Sequence, residues 1–67
     1  MAQKWIAWLN HTSVAVGPLH EAERKAREIF ASERYQDRID GKEIVLRITS
    51  YDQRQTLTTE TLREGKP

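Results

Sequence analysis

Between Leu19 and Phe30 the residues Leu19, Ala22, Ala26, Ile29 and Phe30 recur at the spacing of one helix face, and no other feature of the chain constrains its fold as strongly. The opposite face carries Glu21, Glu23, Arg24, Lys25, Arg27 and Glu28. A helix built this way needs an apolar surface to cover. Pro18 suits its first turn, where the missing N–H would have no intrahelical partner. The pattern predicts a helix from about Leu19 to about Arg34. Glu21 with Lys25 and Glu23 with Arg27 are i,i+4 pairs in the favourable order, each worth roughly 0.2–0.5 kcal/mol.

The surface for that helix has to come from strands. Lys4-Trp5-Ile6-Ala7-Trp8-Leu9 is rich in aromatic and branched side chains, Asn10-His11-Thr12-Ser13 is a polar turn, and Val14-Ala15-Val16 is a short returning strand. Gly17-Pro18 ends this hairpin. Asp37 and Asp40 read as turn residues, and Asp40-Gly41 is a strong turn signal. In the strand that follows, Ile44, Leu46 and Ile48 share one face and Val45, Arg47 and Thr49 the other, as a sheet with one covered face requires. Tyr51-Asp52-Gln53-Arg54 reads as a turn. The segment 55–62 has enough Thr for a fourth, edge-like strand, although its apolar content is low.

The predicted fold is therefore α+β: a small antiparallel sheet in the order β-β-α-β, extended by that fourth strand, with one amphipathic helix packed on one face. The expected core brings Leu19, Ala22, Ala26, Ile29 and Phe30 onto Val14, Val16, Ile44, Leu46 and Ile48. The other face of the sheet is expected to lie open.

With 67 residues the chain makes one domain, 1–67, with an ordered core over about 4–62 and a loose tail at 63–67. A domain of this size buries only about 60% of the surface its unfolded chain exposes, which leaves little interior for a deep cleft. There is no cysteine to form a disulfide or a thiolate metal site. Trp5 to Leu9, five apolar residues, is too short for a signal peptide core or a membrane span. The expectation is a soluble, cytoplasmic protein. Its 11 basic and 10 acidic residues leave a net charge of +1, so no whole-protein field draws it to nucleic acid.

Chemistry-bearing constellations are sparse. His11 lies in the hairpin turn and His20 at the helix start, and neither has a local nucleophile or acid to work with. The histidines and scattered carboxylates match neither zinc nor calcium spacing. Gly17, Gly41 and Gly65 are too far apart for a phosphate loop. Neither an enzyme, a metal nor a cofactor is expected.

Two surfaces remain as candidates for binding. Trp5 and Trp8 have opposite parity, so a regular strand sends them to opposite faces. Placing Trp5, Ala7 and Leu9 inside leaves Ile6 and Trp8 on the open face beside Ala15, Val45 and Arg47, where Trp and Arg are characteristic interface anchors. A bulge, the C-terminal strand or a homodimer partner are the alternative covers for the second Trp. Ile6, Trp8, Val45 and Arg47 are thus the expected protein-binding residues. One alternative is a basic surface of Arg24, Arg27, Arg34, Arg38 and Lys42 that would take nucleic acid, with Glu21, Glu23 and Glu28 interleaved against it; another is a structural subunit whose open face closes by self-association.

The order Trp-rich strand, polar turn, short strand and a helix opening at Leu19-His20-Glu21-Ala22 resembles small bacteriophage accessory proteins. A short RNA-polymerase inhibitor of lytic coliphages has a similar hairpin–helix–strand order and a comparable L-x-E-A helix start, and several small anti-CRISPR proteins combine a helix with an antiparallel sheet in related ways. The resemblance covers roughly Lys4 to Ile48. It transfers no functional residue, and the inhibitor is more acidic than this chain. It implies a compact, non-enzymatic protein, acting in the host cytoplasm if phage-encoded, that binds a larger host protein and changes its activity.

Overall fold

The computed structural model describes residues 3–40 and 42–63. Within them run β1 (Trp5–Leu9), β2 (Thr12–Gly17), α1 (Leu19–Ala31), α2 (Glu33–Ile39), β3 (Ile44–Ser50) and β4 (Thr56–Leu62). The strands form one antiparallel sheet in the order β2-β1-β3-β4. The class is α+β, with four strands and two helices where a single helix was expected. Apart from Arg63, the tail at 63–67 lies outside the described residues, as does Gly41.

The hairpin turns on Asn10 and His11, with Asn10 at φ 58; Asn is among the few residues that tolerate this left-handed conformation. Asn10 also continues the ladder beyond β1, its N–H donating to the Val45 carbonyl at 2.8 Å and its Oδ1 accepting from the Val45 N–H at 3.0 Å. Ala7 stands opposite Ala15 but Trp8 opposite Ser13, so Val14 is an extra residue in β2. This bulge reverses part of the expected core. Ala15 is buried among the core residues and Val14 packs against them, whereas Val16 pairs with Ile6 on the far face and is 54% exposed. Simple alternation from Val14 misassigned Ala15 and Val16 because one unpaired residue shifts the side-chain parity of a strand.

The long helix breaks at Ser32, which is extended at φ −68, ψ 144. Its hydroxyl donates to the Ile29 carbonyl at 2.7 Å and accepts from the Tyr35 N–H at 3.2 Å, closing α1 and opening α2 with one side chain. Tyr35 therefore lies in the first turn of a second helix rather than past the end of a single one closing near Arg34, and Asp37, expected in a turn, lies within it. Asp40 caps α2 at φ 53, and Gln36 Nε2 donates back to the Phe30 carbonyl. Pro18 is the residue before α1, its carbonyl accepting from Ala22. Ser32→Ala is expected to cost about 1 kcal/mol, the usual loss for an N-cap hydroxyl, read as a shift in the urea midpoint. Unchanged stability would show that Ser32 holds neither end.

Helix α1 lies on β1 and β2 through small residues, with Ala22 and Ala26 buried in the same cluster as Ala7 and Ala15. Leu9, Leu46 and Ile48 fill the centre, and Trp5, Leu19, Ile29, Tyr35 and Ile39 close its rim. At the far edge β4 forms as anticipated. Thr58, Glu60 and Leu62 stand opposite Ile48, Leu46 and Ile44, so they share the helix-side face, and Leu62 enters the core. The β3–β4 turn is held by Asp52 Oδ1, which accepts from the Ser50 hydroxyl at 2.6 Å and the Arg54 N–H at 3.0 Å. Those two bonds, the hydroxyl first, hold the Asp52 carboxyl below its ordinary range.

Glu60 reaches the helix through Arg27, whose guanidinium lies 2.8 Å from Glu60 and 3.1 Å from Glu23. The hydrogen bonds from Arg27 hold the Glu60 carboxyl below its ordinary value of 4.5. Because the folded carboxyl binds its proton less tightly than the unfolded one, the pair's contribution is complete above that value and fades as the pH falls through the lowered folded one. Both side chains are well exposed, so the contribution is under about 1 kcal/mol and screened by salt. Glu60→Gln is expected to lower stability slightly at pH 7 and not at all at pH 2, by urea titration at both. An equal loss at the two pH values would assign the effect to packing.

Candidate functional site

Both helices cover the same face of the sheet. Ile6, Trp8, Val16, Val45, Arg47 and Thr49 occupy the other, placed there by parity along β1 and β3 and by the pairs Ile6–Val16, Ile6–Thr49 and Trp8–Arg47. Trp5, Ala7 and Leu9 are turned to the core, as expected from the sequence. Two rows of open-face side chains from the central strands therefore lie side by side.

Trp8 is half-buried and held on both sides. Its indole N–H donates to the Thr49 hydroxyl at 3.0 Å, reaching diagonally across β3. The guanidinium of Arg47, directly opposite, lies 5.4 Å from the indole centroid. Such a stack contributes about 0.5–1 kcal/mol where water has access. The arrangement fixes a flat aromatic and a cation in one orientation before anything binds. Arg47 makes no ion pair among the described residues, and its Nε is buried without an acceptor. Val45, 38% exposed, and Val16 add apolar surface on either side.

Ile6 lies on the expected face but is only 7% exposed between its strand neighbours Val16 and Thr49. It supports the surface more than it presents one. Ala15, expected here, is in the core for the reason given above. Two features of the face escaped the sequence reading. Thr49 anchors Trp8, and Lys4 sits 5.7 Å from the Tyr51 ring centroid beyond the Trp5–Ser50 rung, adding a second cation–aromatic pair. Thr59 and Thr61, opposite Arg47 and Val45, bring no charge to the face. The Glu43–Arg63 pair, 2.6 Å apart, sits just beyond the Ile44–Leu62 rung.

The alternative basic surface does not form a single patch. Arg24 pairs with Glu28 at 2.9 Å, and Arg27 with Glu23 and Glu60. Of the expected helix pairs, Glu23–Arg27 forms and Glu21–Lys25 does not. Arg34 and Arg38, on α2, and Lys42 after it are exposed and make no ion pair among the described residues.

His11 and His20 are exposed on different elements. Among the described residues no three His, Asp or Glu side chains converge to hold a metal ion, and no helix is long and apolar enough to cross a membrane. The chain matches no known protein family, no curated protein and no solved structure.

Proposed function

We propose that this protein is a non-catalytic binding module that docks a larger protein on the sheet face opposite its helices and thereby alters that protein's activity. The observation that carries the reading is the Trp8–Arg47 stack: an anchored aromatic beside a cation that has no carboxylate partner among the described residues. The partner surface that fits it supplies an apolar group against Trp8 and Val45 and a carboxylate to Arg47. A guanidinium–carboxylate contact is among the strongest hydrogen-bonded pairs, and Trp and Arg dominate measured interface energies. The likeness in element order to small phage-encoded inhibitors accords with this reading, which places the protein in the cytoplasm, the host's where the chain is phage-encoded. Nucleic-acid binding is the second reading, and it has to work with Arg34, Arg38 and Lys42, because Arg24 and Arg27 already hold carboxylates.

The test is capture of a partner from a lysate of the native or host cell, with nuclease present, followed by titration of the purified partner. Val45→Glu places a carboxylate two residues from Arg47 on the same face and at an exposed position, so the fold should survive. It is expected to weaken binding about tenfold or more, equivalent to at least about 1.4 kcal/mol. Unchanged affinity of the variant contradicts the proposal. So does retention that vanishes with nuclease, or a mass that rises with concentration while no other protein binds.

A further inference from the structure

On the helix side of the molecule, between the hairpin turn and α2, two concavities of about 310 and 380 Å³ adjoin each other. Ile29, Tyr35 and Arg38 line both, so the two halves of this furrow meet along these three residues. Its inner half is lined mostly by apolar residues, among them Val14, Ile39 and Ile44, with Asn10 and Thr12 toward the hairpin turn. The outer half runs past Ser32 to Arg34. Among the described residues the charged side chains lining either half are Arg34 and Arg38, and neither makes an ion pair there. The acids of the same stretch, Glu33, Asp37 and Asp40, line neither half.

The furrow owes its shape to the break at Ser32. A continuous helix would carry Tyr35 and Arg38 onward along the axis of α1. The extended Ser32 instead lets α2 bring Tyr35 and Ile39 back against the core, leaving Arg38 at the rim. A largely apolar lining whose charges, among the described residues, are all cationic selects a ligand that is apolar and anionic at once, and two adjoining concavities suit a chain of linked groups, one to each. We infer that this furrow binds an acidic peptide segment of a partner protein, one aliphatic side chain entering beside Val14 and Ile39 while flanking carboxylates meet Arg38 and Arg34. The site lies on the opposite side of the sheet from Trp8 and stands or falls independently of the open-face reading.

The experiment is a titration of the 15N-labelled full chain with a six-residue peptide alternating aspartate and leucine, blocked at both ends, followed by amide shifts. Saturable changes centred on Ile29, Tyr35, Arg38 and Ile39, with Kd below about 1 mM, are expected. Arg38→Glu and, separately, Arg34→Glu should each weaken binding about tenfold. Lys25→Glu, the same charge reversal outside the furrow, should leave it unchanged. Replacing each aspartate of the peptide by asparagine should lose about tenfold as well. No saturation, equal binding of the asparagine peptide, or equal weakening by Lys25→Glu overturns the inference. Sodium benzoate producing the same shifts at the same strength would reassign the furrow to free organic acids. Tighter binding of a six-nucleotide oligothymidylate at the same residues would reassign it to nucleic acid.

Discussion

Leu46→Ala is expected to remove most of the stability of this domain. Leu46 is 0% exposed on β3, one of the two central strands, with Leu9 and Ile48 beside it in the core. Truncating such a side chain costs about 2–5 kcal/mol, the transfer term plus the cavity left behind. At about 0.05–0.15 kcal/mol per residue, a domain this small has roughly 3–10 kcal/mol in total. The cavity has little chance to collapse, because the larger neighbours that could move into it, Leu9, Ile48 and Phe30 of α1, are themselves buried in the same cluster. Urea unfolding followed by circular dichroism reads the effect. Leu57→Ala, at the half-exposed extra residue of β4 that faces no partner between the Ile48–Thr58 and Thr49–Thr56 rungs, should stay within about 0.5 kcal/mol. Similar costs at both positions would mean that the core is not centred on β3.

The second large effect is expected at Trp8, and it divides between binding and stability. Trp8→Ala removes the ring that stacks on Arg47 and the donor to Thr49, and the proposed interface then loses its central aromatic anchor. Affinity for the protein partner should fall about thirtyfold or more, the 2 kcal/mol characteristic of an interface hot spot. Trp8→Phe keeps a ring but not the N–H. It should retain much of the affinity while losing about 1 kcal/mol of stability, the net value of a hydrogen bond. Trp5→Ala is the counterpart, because Trp5 packs on the helix-covered core. Its loss should lower the urea midpoint and leave affinity per folded molecule unchanged. A Trp5 variant that weakens binding as strongly as Trp8→Ala would show that the effect passes through stability.

What the sequence made legible follows from where one side chain decides an outcome. The α1 stripe and the alternation of Ile44, Leu46 and Ile48 are local and repeated, so the covered faces of α1 and β3 could be read directly. The opposite parity of Trp5 and Trp8 placed them correctly on two faces because β1 itself has no bulge. Its neighbour β2 does, and nothing in Thr12-Ser13-Val14-Ala15-Val16 marks which residue is extra. That register is set only when the hairpin pairs and α1 docks over Ala7 and Ala15. The break at Ser32 left a fainter trace: Ser, then Glu33 in a first turn, Tyr35 and Ile39 four apart, and Arg38 near a C-terminus. Those are the cap and stripe of a short helix, but they continue the charged pattern of α1 and so read as its fraying end.

The candidate site was legible in part for the same reasons. Trp8, Val45 and Arg47 share a face by parity alone. Thr49 as the indole's acceptor, and the near-complete burial of Ile6 between Val16 and Thr49, depend on the pairing of β1 with β3 and could not be read from either strand by itself. On α1 the pairs Arg24–Glu28 and Arg27–Glu23 are local, but the second partner of Arg27, Glu60, lies 33 residues away in sequence and could not be read from the helix.

The most direct measurement is the 15N spectrum of the full chain in complex with its captured partner, because Trp5 and Trp8 each give a separate indole N–H signal on opposite faces of one strand. The account predicts that the Trp8 indole and the amides of Val45, Arg47 and Thr49 shift or broaden on binding while the Trp5 indole stays in place. A complex that leaves the Trp8 signal and those amides untouched would contradict it.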